Sequence, residues 1–205
     1  MMESVCNAAR CEPISEINNF LFLGTWKDAD DADLLRKFNI GYVLNVAAEL
    51  DPATQSAMSA HAKNVINKSI PMKDCHHQDI SHNFNDAFAF IEEARQHHSR
   101  VLVHCRRGIS RSAAIVVAYL MATEQQSYQQ ALDYVTARRP CVCMNLAFQD
   151  VLSEYVPELH WTRPTASNNT DFVCNGESSD GDQQTPPSAP HGISHCSFSA
   201  FLDDD

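Results

Sequence analysis

Positive charge is scarce in this sequence. Its 205 residues include 15 Lys and Arg but 26 Asp and Glu, so the formal net charge is −11 at pH 7. Proteins that bind DNA, RNA or anionic membranes by bulk attraction need a basic surface, so this balance argues against those partners. Residues 161–205 alone hold seven acidic residues and one Arg, a net charge of −6. A ligand that carries phosphate must therefore be attracted by a local group of basic residues.

Long apolar runs are also absent. No stretch approaches the length of a membrane span, and residues 1–9 lack the apolar segment of a signal peptide. Met2 does not fit the N-myristoylation pattern. Eight cysteines in a chain of this kind are typical of free thiols in a reducing compartment, not of a disulfide scaffold. These absences predict a cytoplasmic or nuclear protein that has no membrane partner.

The composition changes sharply near the C-terminus. Residues 162–197 are dominated by small and polar residues and Pro, and they carry few large apolar side chains. Such a segment cannot bury enough surface to offset the entropy of ordering. We therefore predict a flexible N-terminus at 1–13, one folded domain at 14–157 and an acidic, disordered tail at 158–205.

Apolar runs and helix-like patterns alternate through the predicted domain. The runs predict strands at 17–24, 42–47, 65–70 and 101–103, and the helical patterns predict helices at 28–38, 51–62, 84–98, 113–124, 127–138 and 146–155. A strand, helix, strand order implies parallel pairing through a crossover. We therefore expect an α/β fold with a central, mostly parallel sheet flanked by helices.

The junction between the fourth strand and the next long helix predicts a phosphate site. Successive backbone N–H groups in a tight loop, next to the positive end of a helix dipole, prefer an anion of phosphate size. Gly108 can adopt conformations that other residues avoid. Arg111 offers a planar fork of donors for two phosphate oxygens. Cys105 faces all of these groups, so the pKa of its thiol should fall and a nucleophilic thiolate should form near neutral pH.

The residues of this junction resemble a known signature. His104 and Cys105 are followed, after five residues, by Arg111 and Ser112, with Gly108 in place, which is similar to the active-site motif of the cysteine-dependent phosphatases. The apolar continuation at 113–121 resembles the dual-specificity branch. This resemblance implies a phosphatase-like α/β fold with Cys105 as nucleophile, no cofactor and no metal. It also implies a phosphate-binding loop of Arg106, Arg107, Gly108, Ile109, Ser110 and Arg111, with Arg138 and Arg139 as further candidates for attracting phosphate.

The resemblance implies roles for three more residues. His104 would support the loop and help to lower the pKa of the Cys105 thiol, and Ser112 would donate to the thiolate as it departs. A general acid is expected upstream, because an alkoxide or phenolate leaves poorly without a proton. Asp74 fits its place better than Asp79, which precedes Ile80 and Ser81 and suits a helix cap.

Three features leave alternatives open. The segment around Asn145 resembles the end of a dual-specificity domain, but Met144 and Ala147 stand where the family more often has Pro and Gly, so the role of Asn145 stays open. Cys75 is a candidate redox partner that would trap oxidised Cys105 as a disulfide, or it is inert. The tandem histidines at 76–77 and 97–98 are better explained as solvated surface than as a metal site.

The sequence thus predicts a protein phosphatase. Its expected substrates are proteins phosphorylated on Tyr and on Ser or Thr, kinases of signalling cascades among them, and hydrolysis passes through a phosphocysteine intermediate. One alternative is a phosphatase for phosphoinositides, glycans or RNA 5′ phosphates. Another is a phosphopeptide-binding module without catalysis, but such relatives typically lack the nucleophile or the Arg, and this chain has both Cys105 and Arg111.

Overall fold

The structure is a computed structural model that describes residues 13–50 and 65–157. The strands are β1 Ile14–Glu16, β2 Leu21–Thr25, β3 Ile40–Ala47, β4 Ile66–Met72 and β5 Arg100–Cys105. The helices are α1 Trp26–Asp30, α2 Ala32–Lys37, α3 Phe84–Gln96, α4 Arg111–Glu124, α5 Tyr128–Arg138 and α6 Leu146–Glu154, with a 3₁₀ turn at Ser81–Asn83.

The five strands form one sheet in the order β1-β2-β5-β3-β4. Only β1 is antiparallel to its neighbour, and β2, β5, β3 and β4 run parallel. This confirms the predicted α/β fold with a mostly parallel sheet. The strand, helix, strand pattern favoured direct pairing of β2 with β3, but β5 lies between them. The central strand therefore ends at Cys105, with parallel neighbours on both sides.

Alternation along the strands separates two apolar layers. Leu21, Leu23, Val101 and Val103 belong to the larger core, which includes residues of α3, α4, α5 and α6. The intervening residues Phe22 and Leu102 point to the other face of the sheet. There they belong to a smaller cluster with Ile40 and Val43 of β3 and Leu35 of α2. Helix α4 is buried continuously from Arg111 to Met121. The helix that follows the candidate phosphate loop is thus fixed in the core.

The predicted first strand at 17–24 is wrong in one respect, because its first half is a turn. The Asn18 side chain accepts hydrogen bonds from the backbone N–H groups of Phe20 (3.2 Å) and Leu21 (2.9 Å). This local alternative to strand pairing bends the chain between β1 and β2. The structure therefore has an antiparallel strand pair where the apolar run predicted a single strand.

The predicted helix at 28–38 is two short helices. Asp31 has an extended backbone, and its side chain accepts from the N–H groups of Asp33 (3.0 Å) and Leu34 (2.9 Å), so it caps α2. Helix α1 starts before the predicted boundary because Thr25 and Asp28 form a capping box. The acidic residues were predicted to lie at the start of one helix, but Asp28 lies at the start of α1 and Asp31 at the start of α2.

The remaining boundaries agree within a few residues, with one exception of interest at Pro71. The prediction ended a strand before this residue, whereas β4 continues through it to Met72. Pro71 has no backbone N–H to donate, but β4 is an edge strand, so this missing donor need not disrupt the sheet. The helix predicted at 51–62 lies outside the described residues, as do the predicted N-terminal segment and tail at 1–12 and 158–205. Among the helices that the structure describes, none is long and apolar enough to span a membrane.

Candidate active site

The carboxyl ends of the parallel strands bring the candidate residues together. Cys105 is the last residue of β5 and pairs in register with Thr25 at the end of β2. Met72 ends β4 on the other side of the sheet, and Asp74 follows two residues later. The loop 106–110 then connects Cys105 to Arg111, the first residue of α4. Open parallel sheets commonly bind ligands at this edge.

Gly108 allows the loop to close tightly. Its φ of 64° is left-handed, and an added Cβ would lie 2.4 Å from the Gly24 carbonyl oxygen and 2.7 Å from Arg139 Nη2. The buried Arg139 donates from Nε to the Gly108 carbonyl oxygen (2.7 Å) and from Nη1 to Ser15 Oγ (3.1 Å). Arg139 is therefore buried and anchors the loop to β1, and its charge interacts with Cys105, while attraction of phosphate by Arg139 stays a prediction. Arg138 donates to the Tyr134 carbonyl oxygen and lies over the Tyr134 ring.

Cys105 lies at the base of this loop. Its Sγ accepts hydrogen bonds from the Gly108 N–H (3.2 Å) and from Ser112 Oγ (3.2 Å). Burial raises the pKa of the thiol, but hydrogen bonds from the Ser112 hydroxyl and from the N–H groups of Ser112, Arg107 and Gly108 outweigh it. The pKa of Cys105 is consequently below the ordinary thiol value. The direction of this shift favours the ionised sulfur, Ser112 is in contact with it, and a thiolate near neutral pH stays a prediction.

His104 supplies no positive charge to this thiolate. It is 1% exposed, and burial lowers the pKa of its imidazole to about 4. A neutral imidazole at pH 7 cannot lower the pKa of Cys105 by charge. Support of the loop by His104 remains a prediction.

Arg111 is held by acceptors that come from other strands. Its Nη1 and Nη2 form a two-pronged ion pair with the Glu49 carboxylate, in which Nη2 is 2.6 Å from Oε1. Nη1 also donates to the Met72 carbonyl oxygen (3.1 Å). These contacts use three of the five N–H donors of the guanidinium. Nε is buried without a hydrogen-bond acceptor, at 3.7 Å from Asp74 Oδ2. Nε and the second N–H of Nη2 form an adjacent donor pair that suits an oxyanion.

Asp74 reaches the loop as predicted from its position. Its Oδ1 accepts from Ser110 Oγ (2.9 Å) and from Asn145 Nδ2 (2.7 Å), and its side chain is 37% exposed. Asp79 instead accepts from the N–H (2.9 Å) and hydroxyl (2.7 Å) of Ser81, so it caps the turn before α3. The structure therefore places Asp74, with its carboxylate partly open to solvent, beside the phosphate loop.

The side chain of Asn145, whose role the sequence left open, makes two hydrogen bonds, and its backbone makes a third. Its side-chain oxygen accepts from the Phe148 N–H (2.9 Å) and caps α6, while its amide nitrogen donates to Asp74. Its backbone N–H donates to Ser110 Oγ (3.3 Å). Asn145 thus links the last helix to Asp74 and to the loop.

The cysteines outside the loop differ in state. Cys75 is a partly buried free thiol beside Asp74, and its proposed redox pairing with Cys105 stays a prediction. Cys141 and Cys143 are disulfide-bonded, so the expectation of free thiols is wrong for these two residues. The Cys143 N–H donates to the Ile109 carbonyl oxygen (3.1 Å), which places this segment against the loop. Within the described ranges, no cluster of three His, Cys, Asp or Glu residues could hold a metal ion.

Sequence reasoning missed Glu49 and the anchoring role of Arg139. Glu49 follows β3 by two residues, and that position at the carboxyl edge of the sheet was the available signal. Arg139 was noticed for its charge, but its burial could not be read from the sequence. The exposed Arg106 and Arg107, with the partly buried Ile109, line the outer side of the loop.

Comparisons with known proteins agree with this geometry. Residues 21–157 match the family model for the catalytic domain of dual specificity phosphatases. Human dual specificity protein phosphatase 5 is 38% identical over 162 residues, covering 79% of this chain and 40% of the human protein. Drosophila melanogaster Mpk3, also described as a dual specificity protein phosphatase, is 40% identical over 147 residues, covering 72% of this chain and 34% of Mpk3. The crystal structure of human DUSP28 aligns with a TM-score of 0.63 at 26% identity, covering 70% of this chain and 93% of that one. The chain spans 40% or less of the length of these two curated relatives.

Proposed function

Because the chain belongs to the dual-specificity phosphatase family, we propose that it hydrolyses phosphate monoesters on proteins, on Tyr and on Ser or Thr. One observation carries the proposal: the unused Arg111 Nε lies in the same loop as the Cys105 thiolate. An oxyanion bound to this donor edge would place its central atom above a nucleophile whose pKa is already lowered. A phosphopeptide-binding role would need the phosphate-binding loop and Arg111, but it would not need a thiol with a lowered pKa.

The first step is transfer of the phosphoryl group to sulfur. The Cys105 thiolate attacks phosphorus, an S–P bond forms, and the P–O bond to the substrate side chain breaks. The electron pair leaves on that oxygen, and Asp74 protonates it as it departs. Arg111 and the loop N–H groups stabilise the charge on the equatorial oxygens.

The second step releases phosphate. Asp74, now ionised, takes a proton from water as the water oxygen attacks phosphorus, and the S–P bond breaks. Ser112 Oγ, which lies 3.2 Å from Sγ, donates a hydrogen bond to the departing thiolate. The cycle restores the ionised sulfur and requires no redox partner.

The proposal extends to substrate class and cellular location. Phosphorylated kinases of signalling cascades are included among the substrates, an extension that rests on the family resemblance. A catalytic thiolate stays reduced in the cytoplasm or nucleus, where glutathione maintains free thiols. Cys75 and Cys105 are free in the structure, whereas Cys141 and Cys143 are disulfide-bonded, so the cysteines alone do not decide the compartment and the location rests on the thiolate chemistry.

Hydrolysis of para-nitrophenyl phosphate in the presence of EDTA tests the proposal. We expect near-total loss for Cys105→Ser and for Arg111→Lys. Asp74→Asn should lose less on this substrate, because its phenolate leaves readily without a proton, and more on a phosphothreonine peptide. Arg36→Lys is the matched control, since Arg36 is exposed and pairs with Asp33 on α2. Equal turnover by wild type and Cys105→Ser would contradict the mechanism.

A further inference from the structure

A cavity of about 320 Å³ opens on the outer side of the phosphate loop. Its lining consists of Thr25, Trp26, Lys27, Arg106, Arg107 and Ile109. The strand register explains why these residues meet. Thr25 pairs with Cys105 in parallel β2 and β5, so the residues that follow the two strands emerge side by side. We call this cavity the β2-side groove.

The β2-side groove is cationic in a chain with a net charge of −11. Lys27, Arg106 and Arg107 are exposed, and within the described part of the chain none of them forms an ion pair. The neighbouring Asp28 does not neutralise Lys27, because its carboxylate turns inward. There it accepts from the N–H (2.6 Å) and hydroxyl (2.8 Å) of Thr25. Three basic residues therefore line the open cavity, and the charge of Arg106 also acts on Glu49.

The opposite side of the entrance carries two carboxyl groups, those of Glu49 and Asp74, which follow β3 and β4 and are 39% and 37% exposed. Glu49 is paired with Arg111, and Asp74 carries a proton in the proposed first step, so neither is counted as free negative charge. The orientation of a peptide substrate is therefore attributed to attraction by the β2-side groove alone.

We propose that the β2-side groove binds Asp or Glu side chains that flank the phosphorylated residue of a peptide substrate. This inference rests on the proposed phosphatase function and adds the substrate class. The three cations are exposed and form no ion pair within the described residues, which suits screened, orientation-tolerant attraction to carboxylates better than the fixed donors that usually hold a second phosphate. Trp26 and Ile109 supply apolar surface for the methylene groups of such side chains.

The test compares phosphotyrosine peptides that differ only in their neighbours. One peptide has two Glu residues on one side of the phosphotyrosine, a second has them on the other side, a third has Gln at all these positions, and a fourth has Gln with one phosphoserine. The measured quantity is kcat/KM for each peptide relative to the all-Gln peptide. Exposed ion pairs predict that one Glu peptide is preferred about threefold to tenfold at low salt, with the preference falling at high salt.

Charge variants assign the preference to the groove. Lys27→Gln should lower the Glu-to-Gln ratio about twofold to fivefold, and Lys27→Glu should lower it further. Lys37→Gln is the matched control, because it removes the same charge from an exposed residue at the end of α2, before β3 begins. Its ratio should equal that of wild type.

The outcomes separate this inference from the proposed function. Hydrolysis of all four peptides at equal kcat/KM overturns the groove assignment and leaves the phosphatase standing. A preference for the phosphoserine peptide alone replaces the carboxylate with a second phosphate, and so overturns the inference as well. Failure to hydrolyse any peptide or para-nitrophenyl phosphate overturns the proposed function itself.

Discussion

Arg111 uses some of its donors within the protein, while its Nε has no hydrogen-bond acceptor and lies 3.7 Å from Asp74 Oδ2. The Glu49 carboxylate and the Met72 carbonyl oxygen take three N–H groups, which fixes the plane of the guanidinium. The hydrogen bond from Arg111 in turn holds the pKa of the Glu49 carboxyl below its usual value, so the pair persists into mildly acidic solution. A residue that touches no phosphate therefore decides where the phosphate-binding edge points.

We expect Glu49→Gln to weaken catalysis through Arg111. A neutral amide offers one acceptor in place of two, so the guanidinium loses its fixed orientation. Misplacement of a positioned group by about 1 Å can cost about 100-fold, and we expect a fall in kcat/KM of about 10-fold to 100-fold. Steady-state kinetics with para-nitrophenyl phosphate and inhibition by vanadate measure this loss, and KM and the vanadate inhibition constant should both rise.

Asp33→Asn is the control for this prediction, because it breaks an exposed ion pair with Arg36 within α2 and so removes a carboxylate–arginine contact that does not involve Arg111. An unchanged vanadate inhibition constant in Glu49→Gln would mean that Arg111 keeps its orientation without Glu49. A rise in kcat/KM would mean that Glu49 competes with phosphate for Arg111.

At the scale of elements, the start of α6 contacts both the helix itself and the loop that carries Asp74. Its cap residue, Asn145, accepts from Phe148 and donates to Asp74, so helix capping and placement of the proposed general acid share one side chain. The disulfide-bonded Cys143 donates to Ile109 just before this cap. The last helix is thereby tied to both the phosphate loop and the loop that carries Asp74.

Two substitutions separate the roles of Asn145. Asn145→Ala removes both contacts and should lower the free energy of unfolding by about 0.5–2 kcal/mol, as measured by urea denaturation. Asn145→Ser keeps a capping oxygen but is too short to donate to Asp74, so it should retain most of that stability. Both variants should lose more kcat/KM on a phosphothreonine peptide than on para-nitrophenyl phosphate, because only the first needs a proton for its leaving group. Equal losses on the two substrates would contradict a role for Asn145 in placing Asp74.

At the scale of the whole molecule, burial of His104 couples stability to pH. Its pKa is about 4 in the folded protein, against an ordinary value of 6.5. Between these values the unfolded chain binds a proton that the folded chain excludes. The contribution of His104 to stability is therefore complete above pH 6.5 and is lost as the pH falls towards 4.

Urea unfolding at a series of pH values measures this effect. The difference in pKa corresponds to a loss of about 3 kcal/mol at most over that range. His104→Asn should flatten the pH dependence between pH 4 and 6.5, whatever it does to the stability at pH 7. His77→Asn, at an exposed position in the loop after β4, should leave the slope unchanged. A wild-type slope equal to that of His104→Asn would show that His104 is not held neutral.

The basic residues at the β2-side groove contrast with the negative net charge of the chain. The chain has a net charge of −11, whereas Lys27, Arg106 and Arg107 are exposed together at the β2-side groove. We propose that the catalytic domain spans 14–157, which includes the matched residues 21–157 and the strand β1 that receives Arg139. Attraction of an anionic substrate is then local to the β2-side groove and Arg111.

Local spacing was enough to predict the phosphate loop and most of the elements around it. The positions of Cys105, Gly108, Arg111 and Ser112 are fixed within eight residues, and a strand before them and a helix after them leave few ways for the loop to close. Predictions failed where a polar side chain competed with regular structure, as Asn18 does between β1 and β2 and Asp31 between α1 and α2.

The sequence by itself therefore determined the α/β class and the position of the candidate nucleophile Cys105 in its loop, because these depend on neighbours along the chain. Only the tertiary structure decided which groups support them. Glu49 meets Arg111 across 62 residues, Asn145 meets Asp74 across 71, and Arg139 meets Gly108 across 31. Such contacts depend on strand order, register and burial, and these are set by how the whole core packs.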